Sequence, residues 1–312
     1  MKRMIERLSP GEIGRAVRFA NRQFDTDFLR LQPKLYRHPA CGDTYVCTEN
    51  TEICGMLSVY PYRYRGLRSL SIGTVCTAPE YRGQGVMRSL FAHLETHVFP
   101  QFDLLTLAGK KRLYEQFGFA KALCFPEYRY IPGKATPCDR VIQIRGHEAD
   151  DILYSLYSQF GAGVSRSKGS LAELLKGNGR DIYLLQHRSD MAYVSCDQAK
   201  RRVLEICGTL GNEQIAAALA QIWGPGDIII LGKTNLFDRQ QAESCDGYIL
   251  RNHGNIRINH PELVLPALGF QEEITGGNTP LSLGETYRIF GYGAHSLPLC
   301  TVPSSLWYMD GI

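Results

Sequence analysis

The sequence contains no apolar run that approaches the roughly 20 residues needed to span a bilayer. Its first residues, MKRMIERLSPGEI, are polar and amphipathic and lack the apolar core of a secretory signal. The ten cysteines include no C-x-x-C pair, and several lie in apolar, strand-like contexts where free cysteine behaves as a small hydrophobic residue. These are Cys47, Cys54, Cys76 and Cys207. We therefore expect a cytoplasmic protein without disulfides and without a membrane partner.

Clustered charge and metal-binding patterns are also missing. The net charge is only +4 and the basic residues are scattered, which argues against a nucleic-acid partner. The eight histidines are dispersed. His93 and His97 are four residues apart, but we expect them on the solvent face of a helix rather than at a metal. The sequence thus predicts no metal and no nucleic acid, and it leaves homo-oligomer formation open.

The most informative segment that is present covers residues 69–91, SLSIGTVCTAPEYRGQGVMRSLF. A strand rich in β-branched residues ends before Pro79, and Arg82-Gly83-Gln84-Gly85 leads directly into an apolar-periodic helix. Glycines at such a junction let backbone N–H groups approach a ligand closely, and the helix N-terminus adds a partial positive charge. The segment therefore predicts a phosphate-binding loop.

A second motif follows about thirty residues later. Residues 103–108 form a compact apolar run that predicts a buried strand. The segment Tyr114-Glu115-Gln116-Phe117-Gly118-Phe119 comes next and predicts a short helix. From the residues alone, Tyr114 could be either a half-buried packing residue or a functional group.

Together the two motifs resemble the GCN5-related N-acetyltransferases (GNAT family). The family's Q/R-x-x-G-x-G/A pattern is matched from Arg82 to Val86, and Met87 stands where glycine or alanine is usual. The resemblance implies acetyl-coenzyme A (acetyl-CoA) as co-substrate, and it implies that Tyr114 protonates the departing thiolate. The implied cofactor-binding residues are Val75, Cys76 and Thr77 on the strand, and Arg82, Gly83, Gln84, Gly85, Val86 and Met87 on the loop. A covalent acetyl-Cys76 is disfavoured because no histidine base is close in sequence.

The resemblance implies direct acetyl transfer to a primary amine of a small molecule or a lysine-like acceptor. Members of the family use a glutamate, waters or the chain's own terminal carboxylate as the base. Here the terminal carboxylate of Ile312 is a catalytic candidate, as base or as amine anchor, and the alternative is a tail that is only docked. Asp25 and Asp27 are the other acidic candidates. Two alternatives stay open: transfer of a longer acyl chain, and a non-catalytic acyl-CoA sensor or interaction protein.

The order of strands and helices occurs twice along the chain. Residues 1–132 are predicted to form the acetyltransferase lobe, with a helix at 12–21, strands at 44–48, 53–60, 67–77, 103–108 and 119–130, and a long helix from residue 86. Residues 138–247 are predicted to repeat the pattern, with strands at 181–186, 191–196, 202–208 and 227–231 and a helix at 212–223.

The second lobe has Thr209-Leu210-Gly211-Asn212 in place of the glycine loop, so we expect it to keep the fold and to lack the pyrophosphate site. Residues 248–312 are predicted to be a C-terminal extension docked on the two lobes. This arrangement resembles the Eis-like tandem-lobe branch of the family. The predicted class is α/β: a GNAT fold, with a mixed, mostly antiparallel sheet flanked by helices, in tandem lobes of which the second is degenerate.

Overall fold

The computed structural model of the protein describes residues 3–32, 36, 42–107, 109, 112–133, 136, 138–161, 163–232, 243–269, 280–282 and 285–286. Its strands and longer helices are, in chain order, β1 (Met4–Arg7), α1 (Ile13–Phe24), α2 (Phe28–Leu31), β2 (Asp43–Glu49), β3 (Glu52–Tyr64), β4 (Leu67–Thr77), α3 (Val86–His97), β5 (Leu104–Leu107), β6 (Ala120–Tyr130), β7 (Arg140–Ile144), α4 (Asp150–Phe160), α5 (Lys168–Lys176), β8 (Asp181–His187), β9 (Asp190–Asp197), β10 (Arg202–Gly208), α6 (Asn212–Trp223), β11 (Ile228–Leu231), β12 (Gly247–Ile258) and α7 (Pro261–Ala267). Short 3-10 turns lie at Pro10–Glu12, Pro79–Tyr81, Phe99–Gln101, Arg112–Phe117 and Gly177–Gly179.

The described strands form one mixed sheet in the order β1-β2-β3-β4-β5-β12-β6-β11-β10-β9-β8-β7. Two neighbouring pairs are parallel, β4 with β5 and β10 with β11, and the other neighbours are antiparallel. Each parallel pair consists of the strand before and the strand after a long helix, α3 in one lobe and α6 in the other. The predicted mixed, mostly antiparallel sheet flanked by helices is confirmed.

Two strands are exchanged between the lobes. β6 follows β5 in the chain but pairs with β11 of the second lobe, whereas β12 follows β11 in the chain but pairs with β5 of the first. The exchanged strands then pair with each other, from Gly247 opposite Arg129 to Ile256 opposite Ala120 with register shifts on either side of Gly254, and so join the two halves of the sheet. The division of the chain at residues 132 and 247 stays a prediction, and residue 247 is itself the first residue of β12.

The helices form where the sequence provides a cap and an apolar stripe. Before α1, the backbone N–H and the hydroxyl of Ser9 both donate to the Glu12 carboxylate, at 3.1 and 2.6 Å. Helix α1 then buries Ile13, Ala16, Val17, Phe19 and Ala20 against one face of the sheet. Helix α3 buries Val86, Leu90, Phe91 and Leu94 on the other face. The sheet of the first lobe is therefore covered on both sides.

The core of the second lobe contains a buried ion pair. Arg166 donates two hydrogen bonds to the Glu205 carboxylate, at 2.7 and 3.0 Å, and the two side chains are 0% and 7% exposed. The hydroxyl of Tyr193 also donates to Glu205, at 2.6 Å. Glu205 lies on β10 just beyond Val203, the last residue of β10 that pairs with β11. A charged cluster therefore occupies the place where the two parallel strands of this lobe part.

Candidate active site

The parallel strands β4 and β5 separate halfway along β4. They pair from Ser69 opposite Leu104 to Ile72 opposite Leu107, where β5 ends, while β4 continues to Thr77. A cleft of about 810 Å3 opens at this point. Nine of the predicted site residues line it: Val75, Cys76, Thr77, Arg82, Gly83, Gly85, Val86, Met87 and Tyr114. The two motifs of the sequence thus meet in one cleft, and the binding role of each residue stays a prediction.

The part of β4 that extends beyond β5 contains a bulge at Thr74. The register with β3 shifts between Cys76 opposite Met56 and Gly73 opposite Ser58, and Thr74 has φ +50°. A β-branched residue rarely adopts positive φ, so this conformation must be held by its surroundings. Thr74 and Val75 therefore have no partner residue on β3, and both line the cleft.

A buried network of hydroxyl groups holds the bulge. Tyr36 donates to the Thr74 hydroxyl at 2.8 Å, and Thr74 donates to the side-chain oxygen of Gln32 at 2.9 Å. The Tyr36 hydroxyl is also 3.0 Å from Ser58 Oγ. Burial raises the pKa of Tyr36 to about 12, so this hydroxyl keeps its proton at neutral pH. This network could not be predicted from the sequence, since its members are up to 42 residues apart.

The glycine loop has the backbone that its composition predicts. Gly83 and Gly85 have φ +76° and +78°, and a Cβ at either position would meet no atom within 4 Å. The backbone there faces open space at the start of α3, whose Ser89 N–H donates to the Gly85 carbonyl at 2.9 Å. Val86 is instead buried, and its side chain packs where a Cβ on Gly55 would stand 2.5 Å away. The exposed loop therefore offers its own backbone to a ligand.

Gln84 is the loop residue that does not line the cleft. Its backbone carbonyl accepts a hydrogen bond from Arg3 at 2.8 Å, and its side chain donates to the Glu80 carbonyl at 2.7 Å. Its N–H points to the Tyr81 carbonyl at 3.4 Å. These contacts direct Gln84 away from the predicted ligand, and they fix the loop to β1 and to the turn before it.

Tyr114 lies at the other wall of the cleft and is 7% exposed. Its ring packs beside Phe91, with centroids 6.2 Å apart, and against Gly109, where a Cβ would stand 2.4 Å from Cε2 of the ring. Burial raises the pKa of Tyr114, and the nearby Cys76 thiol adds to the effect. The phenol is therefore protonated at neutral pH, as a proton donor must be.

Cys76 lines the same cleft as a neutral thiol. Burial raises its pKa to about 12, although the charge of Arg82 opposes the shift. A thiol with such a pKa is a poor nucleophile. The chemistry of this cysteine therefore agrees with the expectation that no acetyl-cysteine forms.

The wall formed by α1 and α2 is mostly apolar. Phe24, Phe28 and Leu31 line it, together with the amides of Gln23 and Gln32. The rings of Phe24 and Phe28 pack with centroids 5.2 Å apart, and Phe24 is 44% exposed at the mouth of the cleft. The Gly177–Gly179 turn of the second lobe contacts α2.

The acidic candidates lie elsewhere or outside the described residues. Asp27 caps α2 by accepting the Leu29 N–H at 3.0 Å, and Asp25 ends α1 with φ +49°. Neither of them lines the cleft, and no Asp or Glu is among its described lining residues. Ile312 lies outside the described residues, so its catalytic role stays a prediction.

The part of the chain that the structure describes contains no group of three or more His, Cys, Asp or Glu side chains that could hold a metal ion. None of its helices has both the length and the apolar character needed to cross a membrane.

Comparison with known proteins identifies the fold around this cleft. Residues 40–121 match the family model described as an acetyltransferase (GNAT) domain. A conserved Enterococcus faecalis protein, described as a probable N-acyltransferase, is 15% identical with a TM-score of 0.64, and the match covers 83% of this chain and 73% of that one. Eis1 from Mycobacterium abscessus is 15% identical with a TM-score of 0.57, covering 85% and 76% of the two chains.

A third similar structure is a GCN5-related N-acetyltransferase from Anabaena variabilis, which is 15% identical with a TM-score of 0.59 and covers 82% of this chain and 73% of that chain. The comparison with curated proteins finds no match. At this identity the structures show the fold, and they show it over both lobes. The predicted resemblance to the GNAT acetyltransferases, the tandem-lobe fold and the assignment as an acyltransferase are confirmed.

Proposed function

We propose that this GNAT-type acyltransferase binds acetyl-CoA in the cleft between β4 and β5 and transfers the acetyl group directly to a primary amine. The observation that carries the proposal is the meeting of three features in one cleft. These are the end of β4 that extends beyond β5, the open glycine loop and the buried, protonated Tyr114. Acetyl-CoA supplies an activated acyl group as a thioester.

The loop fits the pyrophosphate of this co-substrate. Gly83 and Gly85 have positive φ and face open space, and α3 begins at the next residue with its partial positive charge. Arg82 and Arg88 line the same part of the cleft and add positive charge. A diphosphate is the kind of anion that such a loop binds through its backbone.

The strand and the tyrosine have separate tasks. The backbone N–H of Val75, which lies in the register shift between β3 and β4, would donate to the acyl carbonyl, where one well-placed donor is worth about 3 kcal/mol. Tyr114 would give its proton to the sulfur that leaves. Because Cys76 is a neutral thiol, the amine itself is the nucleophile in this proposal.

The wall of α1 and α2 favours an amine on an apolar body. Phe24, Phe28 and Leu31 provide apolar surface for the carbon skeleton, and Gln23 and Gln32 provide amide groups for a polar edge. The same apolar wall would also suit a longer acyl chain. The acyl-chain length therefore has to be measured together with the acceptor.

The test combines calorimetry with a thiol-release assay on the full chain. Acetyl-CoA and a medium-chain acyl-CoA are each titrated, and turnover is then measured with an aromatic monoamine, an aliphatic polyamine and a lysine peptide. We expect acetyl-CoA turnover to be highest with the aromatic monoamine. Faster turnover with the longer acyl-CoA would replace acetyl by that group, and binding without turnover on any amine would favour an acyl-CoA sensor.

A further inference from the structure

A buried asparagine from the exchanged strand β12 lies behind the cleft. Asn255 stands opposite Leu107, the last residue of β5, and is 0% exposed. Its side-chain amide donates to the carbonyls of Leu107, at 3.3 Å, and Gly109, at 2.8 Å. Asn255 thus holds the chain at the point where it leaves β5 and enters the wall of the cleft.

One of the two carbonyls that Asn255 binds belongs to Gly109, which packs against the ring of Tyr114. Gly109 has φ +156°, and a Cβ there would stand 2.4 Å from Cε2 of the Tyr114 ring and 3.3 Å from its Cζ. The ring therefore packs directly on the Gly109 backbone. A shift of that backbone would move the phenol, because a core at native packing density passes a displacement on to its neighbours.

The side-chain oxygen of Asn255 is, in contrast, unfavourably placed. Its amide oxygen is buried and has no hydrogen-bond partner among the described residues. An unpaired buried acceptor destabilises the folded state, so the oxygen gives no reason for an asparagine at this position. The reason lies in the side-chain N–H groups, which donate to two main-chain carbonyls.

We propose that Asn255 is a positioning residue for Tyr114, so that the active cleft of the first lobe is completed by a strand that the chain supplies after the second lobe. This inference rests on the proposed function, in which Tyr114 donates a proton. It gives the strand exchange a catalytic consequence. Residues 1–132 alone would lack the group that fixes the tyrosine.

The same strand provides a matched control. Asn259 follows β12 directly and is 5% exposed. Its side-chain amide donates to the carbonyls of Phe99 and Phe102, at 2.8 and 3.1 Å. Both asparagines therefore cap a pair of main-chain carbonyls from a buried position, but the carbonyls that Asn259 caps belong to residues that do not line the cleft.

The experiment compares Asn255→Ala and Asn259→Ala in the full chain. We expect the melting temperature to fall in both variants, and further in Asn259→Ala, because the Asn259 amide oxygen also accepts from Arg257 at 3.1 Å. We expect a drop in kcat of roughly tenfold or more for Asn255→Ala alone, with little change in acetyl-CoA affinity. In a Tyr114→Phe background, Asn255→Ala should lower kcat no further, because residues that act through one another are not additive. Equal kcat in the two alanine variants, or a full additional drop in the phenylalanine background, would overturn the proposal.

A second readout does not depend on activity. In protein labelled with 13C-tyrosine, the NMR signal assigned by its loss in Tyr114→Phe should shift in Asn255→Ala and stay in place in Asn259→Ala. An unmoved signal in Asn255→Ala contradicts the positioning role, whereas a wild-type protein without turnover contradicts the proposed function alone. If Asn255→Ala does not fold, Asn255→Ser, which keeps a hydroxyl donor, carries the same comparison.

Discussion

The hydroxyl of Tyr36 donates a hydrogen bond to the hydroxyl of Thr74 over 2.8 Å, and Thr74 is the residue at which β4 adopts positive φ. Because Thr74 in turn donates to Gln32, which lines the cleft, the bulge and the α1–α2 wall are connected by one chain of hydrogen bonds. The conformation of β4 at the acyl carbonyl is therefore linked to the wall that would contact the acceptor.

We expect Tyr36→Phe to lower kcat by roughly tenfold or more, since the backbone donors next to Thr74 lose the bond that fixes them. The stability cost should be about 1–2 kcal/mol for the buried hydroxyl partners left behind. Steady-state kinetics and urea denaturation measure the two effects. Tyr62→Phe is the control, because Tyr62 is also a buried tyrosine with its hydroxyl near a threonine hydroxyl, that of Thr106 at 3.3 Å, which is not part of the bulge. Equal kinetics in both variants would show that the bulge holds without Tyr36.

The pyrophosphate assignment is tested by a pair of glycines. Gly85→Val places a side chain in the open space of the loop, and we expect acetyl-CoA binding to be lost in calorimetry while the fold is kept. Gly66→Val is the matched control: Gly66 has φ +85°, its Cβ would also meet no atom within 4 Å, and it lies in the turn between β3 and β4. Both variants carry about 1–2 kcal/mol of backbone strain. Near-normal affinity in Gly85→Val would reject the loop as the binding site.

The sequence predicted the elements whose signal is local. β4 and β10 begin and end as predicted, and α3 and α6 begin at the expected residues, because each has a clear β-branched or apolar-periodic pattern with a glycine or proline at its boundary. β1 was missed because MIER is a short, half-exposed edge strand with no run of β-branched residues.

The strand exchange could not be read from the chain. β12 pairs with β5 at separations near 150 residues, and the choice between β5 and β11 as its neighbour depends on the whole sheet rather than on its own side chains. For the same reason Asn255 carried no signal as a site residue. The glycine loop and Tyr114, in contrast, could be predicted as site residues because each belongs to a short contiguous motif.

The second lobe should depend on its buried ion pair for stability. Glu205→Gln removes the charge that faces Arg166, a side chain with 0% exposure, and we expect a loss of about 3 kcal/mol in the free energy of unfolding. Asp227→Asn is the control, since the Arg129–Asp227 pair is about half exposed and should contribute less than about 1 kcal/mol. Acetyl-CoA affinity should be unchanged in both variants. A loss below that of the control would mean that water already screens the pair.

The hydroxyl of Tyr114 would give its proton to the leaving sulfur. Tyr114→Phe keeps the ring that packs on Gly109 and Phe91 and removes only the hydroxyl, so acetyl-CoA affinity should stay the same while kcat falls by roughly 100-fold. Tyr62→Phe again serves as control and should keep normal turnover. Unchanged kcat in Tyr114→Phe would make Tyr114 a packing residue.

The pH dependence gives the same role a second test. Burial raises the pKa of Tyr114 above the ordinary value of about 10, so the phenol stays protonated up to about pH 9. The amine acceptor reacts as the free base, so kcat/KM should rise with pH and show no decline attributable to Tyr114 below about pH 9. Tyr114→Phe should lower this profile without changing its shape between about pH 6 and 9. A falling limb near neutral pH that disappears in Tyr114→Phe would show that the phenol titrates there, and it would contradict the buried, protonated tyrosine on which the proposed proton transfer depends.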